Sequence, residues 1–170
     1  MLNKKNCGES ERNISFKPAT TLFEAFIVRC LRNECRTYLT NYQKKIGIFQ
    51  QIYWYLSYYR KAVRAGIYRV FLARNDQGQP VGYGALNLTN GQLRVTECVA
   101  RKYRGRGWGT AILENLITIA KREQYPLIAE IWATNKISIA LHRKCGFKLE
   151  KTKVKSGHKL YIYRKEIGKD

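Results

Sequence analysis

The amino-acid sequence predicts a mixed α/β (α+β) fold, a sheet with helices on both of its faces. Three observations carry this. Short segments with apolar and polar residues in alternation end at turn dipeptides such as Asn90-Gly91 and Ser156-Gly157. Longer segments between them carry apolar residues at helical spacing. The two kinds follow one another as β-α-α-β-β-β-α-β-α-β-β, with no internal repeat and no low-complexity segment.

The elements are predicted in order. "ISFKPAT" (14–20) alternates and then meets Pro18, which suits a short strand. In 22–35, Leu22, Phe23, Phe26, Ile27, Cys30 and Leu31 recur at helical spacing. A loop ending at Gly47 leads to a second helix over 48–63, dense in aromatic residues. The segments 68–74 and 81–89 read as strands around the turn "NDQGQP", and 92–100 as a third strand after Asn90-Gly91. In 109–122, Ala111, Ile112, Leu113, Leu116, Ile117 and Ala120 form one apolar stripe, the clearest helix of the chain. "LIAEIWA" (127–133) has the apolar character of a buried strand. A short helix over 137–146 closes at Gly146, and two strands around Ser156-Gly157 form a final hairpin.

The 170 residues suit one domain, expected over 13–170 behind a polar tail, 1–12. No apolar run approaches the roughly 20 residues of a spanning helix. The first residues lack the apolar segment of a signal peptide, so a cytoplasmic location and no membrane partner are expected. Five cysteines stand at irregular spacings without a C-x-x-C pair, and the two histidines complete no ligand set. Free thiols, no disulfide framework and no metal are therefore expected. Thirty-two Lys and Arg against twelve Asp and Glu give a net charge of +20. The excess is spread along the chain, so it is not confined to a basic tail. A field of this sign favours polyanionic partners, among them nucleic acid, the ribosome or a phosphorylated ligand.

One stretch joins these features. "CVARKYRGRGWGTAIL" (98–113) runs from a strand through a basic glycine turn into the best helix. A helix that opens after such a turn presents backbone N–H groups and the positive end of its dipole. Gly105, Gly107 and Gly109 let that backbone approach an anion, and Arg101, Lys102, Arg104 and Arg106 add charge. The combination suits a pyrophosphate. It is neither the Rossmann fingerprint nor a Walker loop, whose spacings differ.

The pattern Arg104-x-x-Gly107-x-Gly109 after a strand resembles the acetyl-CoA loop of the GNAT superfamily of N-acetyltransferases. A second block, "NKISIALHRKCGF", places Asn135, Ser138, Leu141, Lys144, Gly146 and Phe147 where that superfamily writes N-x-x-[AS]-x-x-L-Y-x-K-x-G-F. The resemblance is sharp over about 67–165 and looser over 13–60. It implies a mixed sheet of six to seven strands, splayed at the cofactor cleft. It also implies an enzyme that moves an acetyl group from acetyl-CoA to an amine acceptor, a small molecule or a protein amine.

Site residues follow from the same resemblance. Main-chain groups of Cys98, Val99 and Ala100 are expected to pair with the pantetheine arm. The turn Arg104, Gly105, Arg106, Gly107, Trp108, Gly109 and Thr110 is expected to hold the pyrophosphate, with Asn135 and Ser138 on the other side of the arm. Attack on a thioester needs a neutral amine and a protonated leaving group. Glu130, five residues before Asn135, and Glu97, two before Val99, are the candidate bases; an ion pair with one of the many arginines is the structural alternative for each. The superfamily's presumed acid is a Tyr after the Leu; this chain has His142 there, which can donate a proton at neutral pH. Cys98 and Cys145 read as inert core residues. Trp54 and its tyrosine neighbours read as sheet packing, with base stacking as the alternative. Two further functions stay open: acyl transfer onto nucleic acid or aminoacyl-tRNA, and a non-catalytic nucleic-acid-binding protein.

Overall fold

The computed structural model describes residues 14–168; the polar tail predicted over 1–12 lies outside the described residues. The chain runs β1 (Ser15–Pro18), α1 (Leu22–Cys35), α2 (Ile48–Trp54), a π turn (Tyr55–Tyr59), α3 (Arg60–Arg64), β2 (Tyr68–Arg74), β3 (Pro80–Thr89) and β4 (Gln92–Val99). After a 3₁₀ turn at Arg101–Tyr103 come α4 (Trp108–Glu123), β5 (Leu127–Trp132), α5 (Lys136–Lys144), β6 (Lys148–Lys155) and β7 (His158–Lys165). Every predicted strand and helix is present, with boundaries moved by a few residues.

α1 starts where its sequence provides a cap. The Thr21 hydroxyl accepts from the Glu24 amide, and the Glu24 carboxylate accepts from the Thr21 amide, which closes a capping box. The aromatic helix predicted as one piece over 48–63 is helical to Arg64 but passes through the π turn. That wider turn accompanies Tyr55 and Tyr59 both turning inward. Their hydroxyls donate to the carbonyls of Thr20 (2.6 Å) and Ala19 (2.8 Å). Trp54 stacks on Tyr59 with ring centroids 4.6 Å apart, so much of the aromatic surface packs as expected, while Tyr53 and Tyr58 remain exposed.

The seven strands form one mixed sheet in the order β1-β2-β3-β4-β5-β7-β6. All neighbours are antiparallel except β4 and β5. α4 lies on one face. There Gly84 leaves room for it, since an added Cβ would stand 3.0 Å from Leu116 and 3.1 Å from Ile112. α1 packs on the other face, against β3 and β4. The core between these layers includes Leu86, Leu93, Ile112, Leu113, Leu116 and Leu127, each shielded almost completely. β6 closes one edge with every residue exposed; Lys148, Lys151, Lys153 and Lys155 on it discourage pairing with another edge. Among the described residues no helix is long and apolar enough to cross a membrane, and no cluster of His, Cys, Asp or Glu could hold a metal ion.

Candidate active site

β4 and β5 pair only at Leu93–Leu127 and Arg94–Ile128. Beyond these residues the two strands run on without pairing, β4 to Val99 and β5 to Trp132, so the sheet opens as a V. Parallel neighbours normally continue their ladder, and the opening leaves strand-edge groups without a strand partner. On that edge the Val99 carbonyl accepts from Arg104 Nε at 3.1 Å, while the Ala100 amide faces β3 and donates to the Val81 carbonyl at 2.9 Å.

The glycine turn lies at the open end of β4. Gly105 and Gly107 have φ of +71° and +80°, the left-handed conformation in which a Cβ is strained. Gly107 is the N-cap of α4, and having no side chain it offers that helix no side-chain cap. Arg101, Lys102, Arg104, Gly105, Arg106 and Gly107 are exposed, whereas Trp108, Gly109 and Thr110 are half-buried. The backbone is thus shaped for an anion. Arg104 turns its guanidinium back over the Tyr38 ring, 5.5 Å from the centroid, and towards Cys35.

Sheet register divides the two candidate bases. Glu97 pairs with Gly84 and so shares the face that α4 covers. Glu130 lies two residues beyond Ile128, the partner of Arg94, and so shares the opposite face. Both line one cavity, Glu130 from the α1 face and Glu97 from the other face across the gap between the strands. Glu130 is engaged by Arg94 at 3.2 Å. Glu97 has no arginine partner among the described residues. Its neighbours come from α5: the Ser138 hydroxyl at 3.4 Å from one oxygen and His142 Nε2 at 3.6 Å from the other.

His142 is 1 % exposed. Its Nδ1 lies 2.9 Å from the Ser138 carbonyl oxygen, which can only accept, so Nδ1 carries a proton. Nε2 is buried without a hydrogen-bond partner among the described residues and faces Glu97. One mobile proton therefore decides whether this pair attracts. Ser138, expected beside the pantetheine arm, lies in this cluster. Asn135 caps α5, its side-chain oxygen accepting from the Ser138 amide at 3.2 Å.

The cavity measures about 360 Å³ and lies on the α1 face beneath the segment 39–46. α1 holds that segment down: Arg32 donates to the carbonyls of Tyr42 and Lys44, and Asn33 exchanges two hydrogen bonds with Ile46. Trp132 Nε1 donates to the Leu39 carbonyl at 3.0 Å from the other side. Arg29, Arg32, Trp54, Tyr68, Tyr83 and Arg94 line the cavity beside the two glutamates. The sequence carries no signal for this set. Arg29 and Arg32 lie on the polar side of α1, and only the fold turns that side towards the site.

The cysteine expectation is corrected. Cys35, at the end of α1, and Cys98, on β4, form a disulfide with Cα atoms 6.3 Å apart. Cys98 is therefore a cross-link between helix and sheet, not a free core thiol. The two are 63 residues apart in sequence, and only the packing of α1 on β4 brings them together. Cys30 and Cys145 are free, and burial raises the Cys145 thiol above its usual pKa.

The sheet thus opens between two parallel strands beside a helix that starts directly behind a glycine turn. The sequence matches the acetyltransferase (GNAT) family over residues 30–147, and the chain belongs to that family. Solved structures agree. A ribosomal-protein-alanine N-acetyltransferase from Brucella melitensis shares 25% identity, with 89% of this chain and 99% of that one covered and a TM-score of 0.75. An N-acetyltransferase from Staphylococcus aureus shares 22% identity over 92% and 99% of the two chains, TM-score 0.74. A phosphinothricin acetyltransferase from Sinorhizobium meliloti, solved with acetyl-CoA, shares 19% over 91% and 89%, TM-score 0.73. No curated protein shows significant sequence similarity to the chain.

Proposed function

We propose that this acetyltransferase moves the acetyl group of acetyl-CoA directly to the amine of a small molecule. The observation that carries the proposal is the parting of β4 from β5 beside the glycine turn. In this reading the diphosphate lies on the backbone of 104–110, and the pantetheine arm runs along Cys98, Val99 and Ala100. The amide of Asn135 borders the arm from α5.

The amine nitrogen attacks the thioester carbon; the carbon–nitrogen bond forms and the carbon–sulfur bond breaks. The amine gives up a proton and the departing sulfur takes one. Glu97 is the base, because it has no arginine partner among the described residues and stands beside a histidine nitrogen that can take the proton on. His142, with Nδ1 tied to Ser138, returns a proton through Nε2. Glu130, held by Arg94, orients the incoming amine from the opposite face.

Calorimetry with acetyl-CoA, followed by release of free CoA thiol with added amines, tests the proposal. Stoichiometric binding and amine-dependent release are expected. Absence of either overturns it.

A further inference from the structure

We infer that the acceptor carries a carboxylate as well as its amine: an amino-acid-like zwitterion, its anion against Arg32, Tyr68 and Tyr83 and its amine towards Glu97. The inference rests on the acetyltransferase reading above and names its substrate class.

The cavity has two electrical poles. Glu97 and Glu130 line it at the gap in the sheet. Opposite them, α1 contributes Arg29 and Arg32, three residues apart and so on one helix face. Neither arginine forms an ion pair among the described residues. Both terminal nitrogens of Arg32 donate to main-chain carbonyls, and its guanidinium lies 5.2 Å from the Tyr42 centroid. Its Nε has no hydrogen-bond partner among the described residues. Burial lowers the pKa of Arg32, a desolvation cost that no carboxylate among the described residues offsets. A guanidinium so placed is completed by an anion from outside.

Two phenols stand beside it. Burial pushes Tyr68 up to about 12 and raises Tyr83 further, so both stay neutral O–H donors at physiological pH. Tyr83 is 4 % exposed, yet neither its hydroxyl nor that of Tyr68 has a hydrogen-bond partner among the described residues. Both residues line the cavity, so these hydroxyls are donors open to a ligand there. The charge of Arg32 acts on both phenols, and that of Glu97 acts on Tyr83 as well. Tyr83 thus stands between the poles, and a ligand whose cation and anion are close together engages both. The remaining wall includes Val28, Ile46 and Trp54, which suits an apolar or aromatic side chain. A volume of about 360 Å³ admits a free small molecule of this kind.

The test compares matched acceptors at saturating acetyl-CoA: leucine and phenylalanine, their carboxamides, and the corresponding amines without the carboxyl group. The free acids are expected to show kcat/KM about tenfold or more above their carboxamides, as expected for a hydrogen bond to a charged group. Tyr83→Phe, which leaves the 39–46 segment anchored, raises KM for the acid about tenfold and leaves the amine within about twofold. Arg32→Gln acts in the same direction. Equal rates for acids and amines, or an equal KM increase for both in Tyr83→Phe, overturn the inference. Binding of acetyl-CoA with no acetylation of either acid also overturns it and leaves the acetyltransferase reading standing. Failure to bind acetyl-CoA removes both.

Discussion

His142 Nε2 lies 3.6 Å from Glu97 Oε2, buried and without another partner among the described residues, while Nδ1 of the same ring is committed to the Ser138 carbonyl. The pair holds one proton position between a carboxylate and an imidazole, at the mouth of the gap between β4 and β5. Glu130, across the sheet, has an arginine instead.

This asymmetry predicts different outcomes for the two glutamates. Glu97→Gln is expected to lower kcat by about 10²–10⁴, with the Kd for acetyl-CoA little changed. Glu130→Gln is expected to act mainly on the KM of the acceptor. Steady-state kinetics with calorimetric Kd values separate them. A larger kcat loss in Glu130→Gln would reverse the assignment.

The glycine turn predicts a coupled effect on binding and stability. Gly107 is held at φ +80° at the head of α4. Gly107→Ala is expected to cost about 1–2 kcal/mol of stability and to weaken acetyl-CoA binding. Denaturant unfolding and calorimetry measure the two. Unchanged affinity would show that the coenzyme does not use this turn.

The disulfide predicts a thiol pattern. In denaturant without reductant, Cys30 and Cys145 are expected to react with a thiol reagent, and Cys35 and Cys98 only after reduction. Cys35→Ser is expected to lower stability by about 2–4 kcal/mol, because the bond closes a long loop. Peptide mapping by mass spectrometry reads the pattern, and labelling of Cys98 without reductant would contradict the bond.

The buried phenols predict alkaline instability. Burial raises Tyr59 and Tyr68 from 10.0 to about 12 and raises Tyr83 as well. The unfolded chain ionises these groups first, so it binds fewer protons than the native state between the two values. Stability is expected to hold below pH 10 and to fall as pH rises towards 12. Thermal melts across this range check the slope; Tyr83→Phe is expected to make it shallower.

The local patterns were legible in the sequence. The apolar stripe of α4, the turns at Asn90-Gly91 and Ser156-Gly157, and the glycine turn at 105–109 all depend on residues close in the chain. Period, caps and turn chemistry act over a few residues, and the two sequence blocks were enough to suggest the family. Tertiary structure decided the rest. The Cys35–Cys98 bond joins residues 63 apart, and the register at Gly84 and Ile128 sends Glu97 and Glu130 to opposite faces. Whether a polar helix face such as that of Arg29 and Arg32 meets solvent or a cavity depends on what packs against it. Helical spacing fixes which residues share a face, but only the docking of α1 on the sheet and the segment 39–46 over it turned that face towards the cavity.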